Sequence, residues 1–438
     1  MSDFSDFIES PRSACALAGA LSAIGNLPEV IPIIHTSLGC GGNLANSVAF
    51  GAGYLGGGYC SGGAAPSTGV TETEIVFGGG DRLAEQISST FELIDGKLYI
   101  VATGCMTEMI GDDAAGIVSN FRDGVKPILA VSTPSFKGDS YHGYEIALDG
   151  IFNHYLPRAK ANNPKLVNIF GLVPGYDPFF RGDLEEIERL LIALGLEVNT
   201  FFTPGQTFEN LTSAPAAALN IVLSRVWGLE LAERFAERHA TPYIATDLPI
   251  GPEATDGFLR LIAQRLGLEA ESVIERENEV FYGYFERCAD AFCDGDLKFY
   301  AITVANSTYA IPLSRFVSRE LGWIVLDTFV TDKLTAEQKA ALDREHPIQF
   351  VAGVQEIARA INRDHPKGGG QRYFDDITPL YIIGSTLEKR TAAARGARHL
   401  SVSFPAYDRF ITDRGYAGYR GGLHLFEDLI GQIMSVKS

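Results

Sequence analysis

KLYIVATGCMTEMIGDD, residues 97–113, places a cysteine directly after a short apolar run. The run Leu98–Ala102 has the composition of a buried β-strand, and Thr103 and Gly104 end it just before Cys105. The residues that follow, Met106–Asp113, are predicted to begin a helix or a turn. Open α/β sheets place their chemistry beyond the carboxyl ends of the strands, so Cys105 is a candidate functional residue.

The rest of the chain repeats an alternation of strand-like and helix-like segments. From residue 165 onward the strand-like runs are LVNIFGLV (166–173), LNIVLS (219–224), KFYAITVA (298–305), WIVLDTFV (323–330) and PLYIIGS (379–385), and LSVSFPAYDRF (400–410) closes the series. Such alternation is typical of parallel sheets with helices on both faces. We predict an α/β fold of three Rossmann-like, doubly wound domains with parallel sheets: residues 1–160, 161–295 and 296–438.

Three segments of the first 100 residues lie outside this regular alternation. TETEIVFGGGDRLAEQISSTF (71–91) is interpreted as a short strand, a triple-glycine turn and an amphipathic helix. Cys40 is predicted to lie in the glycine-rich turn HTSLGCGG (35–42), where glycines allow the backbone to approach a bulky ligand. The apolar segment ACALAGALSAI (14–24) is predicted to be a helix, with Cys15 near its start.

Composition excludes several classes of protein. The formal net charge is -18 and Lys and Arg do not cluster, so a nucleic-acid binder is not expected. An acidic surface instead favours a partner with a basic docking face. The apolar content is 46%, but no run reaches the ~18 residues that span a bilayer. The start of the chain lacks the pattern of a signal peptide, so a cytoplasmic protein without membrane segments is predicted.

Six cysteines are present, at positions 15, 40, 60, 105, 288 and 293. Cys288 and Cys293 are interpreted as small buried hydrophobic residues. Cys60 lies in the glycine-rich loop 51–69, where it either covers a site or is a spectator thiol. The remaining three are 25 and 65 residues apart, so only tertiary folding beyond the strand ends would bring them together.

Thiolates are soft ligands that suit zinc or iron–sulfur clusters. Three thiolates make a poor structural zinc site and leave a simple cluster one ligand short. Either an unusual ligand or another chain would complete the set, and Ser135, after the predicted strand 125–131, is a candidate oxygen ligand. The alternative, that Cys15, Cys40 and Cys105 are buried free thiols, stays open on position alone.

Four segments resemble the β-type subunit of nitrogenase component 1. They are PRSACALAGALSAIGNLPEVIPIIHTSLGC (11–40), TGCMTEMIGDD (103–113), STPSFKGDSYHGY (132–144) and SFPAYDRFITDRGYAGYRGG (403–422). The resemblance implies that Cys15, Cys40 and Cys105 are ligands of the eight-iron P-cluster (8Fe-7S), which Ser135 joins on oxidation. It also implies an α-type partner that gives three further cysteines, in an α2β2 heterotetramer.

The same resemblance implies that the two subunits have different functions. The active-site iron–sulfur cofactor belongs to the α-type partner, held there by a cysteine and a histidine. His399 and His424 are interpreted as surface or helix histidines instead, so no catalytic residue is predicted in this chain. An ATP-dependent iron protein would deliver electrons, making this chain an electron relay and scaffold.

Two sets of residues are assigned around the cluster. Backbone amides of Gly39, Gly41 and Gly104 would tune its potential through hydrogen bonds. Glu108, Asp112 and Asp113 would dock the iron protein; the alternative is that the two aspartates are simply helix-start carboxylates.

One segment separates this chain from true nitrogenase β-subunits, which are arginine- and aromatic-rich after the second cysteine. This chain has NLANSVAFGAGYLGGGYCSGGAAPSTG (43–69) there, and its N-terminal lead is short. These departures favour a nitrogenase-like reductase, first of all one that cleaves carbon–sulfur bonds in small methylthio-alkanes. A vanadium or iron-only nitrogenase and a cofactor-assembly scaffold are the alternatives.

Overall fold

The computed structural model describes residues 11–54, 65–121, 124, 126–288, 290–291, 297–342, 345–366 and 379–434. Cys60, Cys293, part of the glycine-rich loop and the predicted boundary near residue 295 lie outside the described residues. Within the described ranges, no helix combines the length and the apolarity needed to cross a membrane.

Parallel β-strands in three sheets form the framework of the described chain. The strands are β1 (Val30–His35), β2 (Leu98–Thr103), β3 (Ile128–Ser132), β4 (Asn163–Phe170), β5 (Glu197–Asn199), β6 (Ala217–Val222), β7 (Tyr243–Ala245), β8 (Tyr300–Ala305), β9 (Ile324–Val330), β10 (Ile348–Phe350), β11 (Leu380–Gly384) and β12 (Arg398–Ser401). The sheet orders are β1-β2-β3, β5-β4-β6-β7 and β10-β9-β8-β11-β12. The second and third sheets grow first to one side and then to the other, as doubly wound sheets do.

Helices connect these strands. They are α1 (Ala16–Gly25), α2 (Leu38–Gly51), α3 (Glu72–Phe77), α4 (Gly80–Leu93), α5 (Cys105–Ile110), α6 (Ala114–Ser119), α7 (Ser140–Asp149), α8 (Phe180–Ala193), α9 (Phe208–Ser213), α10 (Leu229–His239), α11 (Gly251–Leu266), α12 (Glu271–Phe285), α13 (Ser307–Arg319), α14 (Ala336–Ala341), α15 (Val354–Asp364), α16 (Lys389–Arg395) and α17 (Gly418–Met434). All six residues of β2 are buried, as expected when both faces of a parallel strand are covered. The predicted α/β class with parallel sheets is confirmed.

Three local predictions were wrong. The residues predicted as a strand after Thr71 form helix α3, because Thr71 and Glu74 make a capping box that starts a helix. Cys40 lies in the first turn of α2 rather than in a glycine-rich turn. The closing strand is limited to β12, and the residues after Ser401 leave the sheet.

The three sheets share one large hydrophobic core. The buried carboxylate of Asp183, on α8, accepts hydrogen bonds from the amides of Tyr416 and Ala417 at 2.5 and 2.7 Å and from the hydroxyl of Tyr309 on α13. The C-terminal helix α17 also packs against α8 and α11. The second and third predicted domains are therefore tied together, and their boundaries stay a prediction.

Candidate metal centre

The carboxyl ends of the three strands of the first sheet lie level with one another. The strand register pairs His35 of β1 with Thr103 of β2, and Thr103 with Ser132 of β3. Predicted donors follow these ends within five residues: Cys40, Cys105 and Ser135. Short connections from level strand ends place these three residues along one edge of the sheet, where open α/β folds bind ligands.

Cys105 is the first residue of α5, and Gly104 holds it close to the end of β1. The Gly104 amide donates to the His35 carbonyl at 3.0 Å. A Cβ at Gly104 would lie 2.3 Å from Thr36 Oγ1, so a side chain there would displace the Cys105 turn or Thr36. This amide already donates within the chain, and the tuning of a cluster by Gly104 stays a prediction.

Cys105 and Ser135 are in direct contact. Cys105 Sγ donates to Ser135 Oγ at 3.0 Å, and the Ser135 amide donates to Sγ at 3.1 Å. Ser135 is exposed and begins the short 3₁₀ turn Ser135–Lys137, three residues after β3 ends. The structure therefore brings together the predicted thiolate and the predicted oxygen ligand.

Cys15 caps the amino end of α1, and the crossing of α1 with α7 fixes its position. An isolated antiparallel bridge joins Cys15 to Asp139, just before α7. A Cβ at Gly19 would lie 1.7 Å from the Ser140 carbonyl oxygen, and one at Gly143 would lie 1.9 Å from that of Ala16. The two helices touch through their backbones, which places Cys15 beside the segment that follows Ser135.

Arg12 anchors the chain just ahead of Cys15. Its side chain is buried and bonds to Glu388 Oε2 at 3.1 Å, Ser385 Oγ at 3.0 Å and the Ala352 carbonyl oxygen at 3.1 Å. A buried arginine needs such an acidic partner, since an unpaired charge would be costly. The segment that leads into α1 is thereby held by the third sheet's loops.

Cys40 faces the same region from the first turn of α2. Its Sγ lies 3.6 Å from Ser37 Oγ. A Cβ at Gly41 would lie 3.1 Å from Ile34 Cδ1, so a small residue lets α2 pack on the end of β1, whereas a Cβ at Gly39 would make only an ordinary contact with Asn43 Nδ2 at 3.9 Å. Gly39 is the second residue of α2, so its amide has no partner within the helix.

The three acidic residues predicted for docking have partners within the chain. Asp112 Oδ2 lies 3.1 Å from His35 Nε2 and accepts from the Gly79 amide at 3.1 Å. Burial lowers the pKa of His35, although Asp112 opposes this shift. Asp113 is exposed and caps α6 by accepting from the Gly116 amide at 2.8 Å, as the helix-start alternative predicted. The docking role of these residues stays a prediction.

The chain, including this edge of the first sheet, was compared with known protein families. The family model described as nitrogenase component 1 type oxidoreductase matches residues 15–434, almost the whole chain. The chain belongs to this family.

Relatives within the family include beta chains of nitrogenase molybdenum-iron proteins. The chain is 26% identical to that of Bradyrhizobium diazoefficiens, over 97% of this chain and 84% of the relative. It is 24% identical to one of the chains of the light-independent protochlorophyllide reductase of a Bradyrhizobium species, over 81% of this chain and 67% of the relative. The solved structure of nitrogenase Cp1 at pH 6.5 matches with a TM-score of 0.80 and 21% identity, over 99% of this chain and 95% of that chain. The predicted family and fold are confirmed.

The donor set fits a cluster of several irons better than a single ion. Cys15, Cys40 and Cys105 are free, half-buried thiols. Across the described ranges, no group of three His, Cys, Asp or Glu side chains could hold one metal ion. Soft thiolates spread along one sheet edge suit an iron–sulfur cluster, which takes its thiolates at separate irons.

The other singled-out residues lie elsewhere in the family fold. His399 is on strand β12, where its Nε2 lies 2.9 Å from the Ser385 carbonyl oxygen, so its assignment to a surface or a helix was wrong. His424 lies in α17, as predicted. Cys288 is half-buried at the end of a 3₁₀ turn after α12.

Sequence reasoning missed the apolar surface around the donors. Leu38 begins α2 beside Cys40, Met109 lies on the same short helix as Cys105, and Phe136 follows Ser135; they are 69%, 76% and 66% exposed. Single exposed apolar residues are ordinary, but three beside predicted ligands mark a surface that a partner would cover. We call Leu38, Met109 and Phe136 the apolar rim.

Proposed function

We propose that this chain is the β-type subunit of a nitrogenase-like reductase. Cys15, Cys40 and Cys105, with Ser135, are its share of the ligands of a P-cluster that an α-type partner completes. The observation that supports this most directly is the contact between Cys105 Sγ and Ser135 Oγ at 3.0 Å on the ligand edge of the first sheet. Family membership supports the nature of the cluster.

The geometry gives each residue a separate task. The cysteine thiolates would bind irons, while Ser135 Oγ stands beside Cys105 Sγ as an additional oxygen ligand. The free amide of Gly39, at the start of α2, would stabilise negative charge on sulfur. When bound, such a cluster would supply one-electron transfer between an ATP-dependent iron protein and the iron–sulfur cofactor of the α-type partner.

The apolar rim supports a cluster shared between two chains. Three thiolates are too few for the eight-iron P-cluster, so further ligands must come from another molecule. Leu38, Met109 and Phe136 present apolar surface beside the ligands. Covering it would bury that surface and exclude water from the cluster, which the α-type partner of an α2β2 complex would do.

We propose reductive cleavage of carbon–sulfur bonds in small methylthio-alkanes as the reaction of the complex. One departure from nitrogenase β-subunits supports this choice: the glycine-rich segment 43–69, which stands where those subunits are arginine- and aromatic-rich. In this assignment the complex is cytoplasmic and the substrate binds in the α-type partner, while this chain relays electrons.

The test is anaerobic headspace analysis of the co-purified α/β complex. The assay contains the cognate iron protein, ATP, reductant and a volatile methyl thioether. We expect the alkane together with the matching thiol, in amounts that depend on ATP. A preparation without the iron protein is the control, because it lacks the electron donor.

Other products would select another member of the family. Ammonia from dinitrogen, or hydrogen without a thioether product, would favour the nitrogenase alternative. Reduction of a protochlorophyllide-type pigment would place the chain with its pigment-reducing relatives. No product at normal iron content would favour an assembly scaffold.

A further inference from the structure

Glu108 ties the helix that carries Cys105 to the ends of two strands. Its Oε1 accepts from Ser132 Oγ at 2.5 Å and from the hydroxyl of Thr103. Thr103 is the last residue of β2 and Ser132 the last of β3. One carboxylate oxygen therefore joins α5 to both strand ends, with charge-assisted hydrogen bonds that are stronger than neutral ones.

Lys137 completes this arrangement from the other side of the turn. Its Nζ donates to Ser132 Oγ at 2.6 Å and to the Ser132 carbonyl oxygen at 3.4 Å. The hydroxyl of Ser132 thus accepts from Lys137 and donates to Glu108. Because Lys137 ends the 3₁₀ turn that Ser135 begins, these bonds close the loop that carries Ser135.

The contact of Glu108 with Ser132 and the contact of Cys105 with Ser135 join the same two segments of the chain. Cys105 and Glu108 are three residues apart, which places them on one face of α5. Ser132 and Ser135 are also three residues apart and contact Glu108 and Cys105, respectively. Movement of the Ser132 end would therefore move Ser135 relative to the thiol.

We propose that Glu108, Ser132 and Lys137 are positioning residues that hold Ser135 against Cys105. The effect of these residues on cluster oxidation rests on the function proposed above, whereas their effect on the turn that carries Ser135 does not. This role differs from the docking role predicted for Glu108, and the two roles depend on different properties of the side chain. Positioning needs the acceptor oxygen, whereas docking needs the negative charge.

Two substitutions of Glu108 separate these properties. Glu108→Gln keeps an acceptor oxygen and removes the charge, while Glu108→Met removes both at similar length. Ser132→Ala breaks the link without touching Glu108, and it serves if Glu108→Met fails to fold. Glu275→Gln, at an exposed position of α12, is the matched control for loss of one charge.

The first readout is amide hydrogen exchange of residues 133–138 in the isolated full-length chain. In Glu108→Met and Ser132→Ala we expect exchange about fivefold faster, the factor that corresponds to one lost hydrogen bond. Glu275→Gln should exchange like the wild type, and Glu108→Gln should exchange at a rate between those of the wild type and Glu108→Met, because its neutral amide oxygen is a weaker acceptor. Wild-type exchange in both Glu108→Met and Ser132→Ala would overturn the proposal.

The second readout uses the α/β complex with its iron. Glu108→Met should change the spectrum of the oxidised cluster in the same sense as Ser135→Ala, and Glu108→Gln should restore it. If Gln and Met instead weaken iron-protein binding equally, with unchanged exchange, Glu108 is a docking residue and the proposal is wrong. If the wild-type complex holds no cluster, the proposed function fails while the exchange result still decides the positioning role.

Discussion

The two residues that meet in the contact between Cys105 and Ser135 have different proposed roles. A thiolate ligand supplies a bond that holds iron, which an alanine in its place cannot make. An oxygen ligand that joins only on oxidation contributes to one state of the cluster. Loss of either residue should therefore be distinguishable by iron content and spectrum.

Cys105→Ala should abolish retention of the cluster while the chain still folds. Cys105 is half-buried at the start of a short helix, so the smaller alanine leaves little empty volume. Iron analysis of the purified α/β complex checks the loss, and circular dichroism checks the fold. Ser135→Ala is the contrasting variant, expected to keep its iron and to alter only the oxidised cluster.

Full cluster spectra in Cys105→Ala would remove Cys105 from the ligand set. Complete failure of cluster assembly in Ser135→Ala would contradict the limited role assigned to the serine.

Glu145 makes the stability of the folded chain depend on pH, independently of the proposed cluster ligands. Burial raises its pKa from 4.5 to about 7, and its Oε1 accepts from the Gly228 amide at 2.7 Å. The folded chain holds a proton at pH values where the unfolded chain has released it. The stabilising effect is therefore present below pH 4.5 and is lost as the pH rises through 7, by at most about 1.4 kcal/mol per pH unit.

Glu145→Gln should remove this slope, since glutamine keeps an acceptor for Gly228 and does not ionise. Urea unfolding between about pH 5 and 8 measures the difference in the free energy of unfolding between variant and wild type. We expect the variant to gain relative stability as the pH rises. Parallel profiles for the two proteins would show that Glu145 titrates alike in the folded and unfolded states.

At the scale of elements, the crossing of α1 and α7 determines where Cys15 lies. Backbone contact at Gly19 and Gly143 leaves no room for a Cβ. The helix itself could be predicted from its small apolar residues, but the crossing could not, because it depends on a second helix more than 100 residues away. The prediction failed for residues 71–76, where the alternating pattern suggested a strand. The capping box at their start makes them helix α3 instead.

Gly143→Ala should destabilise the chain by about 1–3 kcal/mol, because the new Cβ would overlap the Ala16 carbonyl oxygen. The shift of α1 should also lower the iron content of the complex through Cys15. Urea unfolding and iron analysis measure the two effects. Gly257→Ala, in the exposed middle of α11 with open space around it, is the matched control and should stabilise by about 0.5–1 kcal/mol.

Equal unfolding midpoints for Gly143→Ala and wild type would show that the two helices separate without cost.

At the scale of the whole molecule, the apolar rim marks the face that a partner would cover. The family and the sheet edge beside Cys105 were accessible from sequence, because β2 is a mostly apolar run and only Gly104 separates it from Cys105. The rim was not, since exposure of Leu38, Met109 or Phe136 depends on how the three strand ends are arranged. An exposed phenylalanine and a buried one look alike in a sequence.

Phe136→Ser should weaken association with the α-type partner and leave the stability of the isolated chain nearly unchanged, because the ring is 66% exposed. Co-purification yield and sedimentation measure the association. Leu93→Ser is the control: Leu93 is 83% exposed at the far end of α4, near the start of β2, opposite the ligand edge. Equal losses in both variants would mean that Phe136 has no special place in the interface.

The pairing of Arg12 with Glu388 affects the order in which parts of the protein can fold during its synthesis. The two residues are 376 positions apart, so a ribosome exposes Arg12 long before its partner exists. Nascent chains fold from the amino end as they emerge, and Cys40, Cys105 and Ser135 belong to a sheet that is complete by about residue 132. The segment ahead of Cys15 is fastened only when translation is nearly finished. Under the function proposed above, a full ligand set would therefore form only when the whole polypeptide is available to receive its partner.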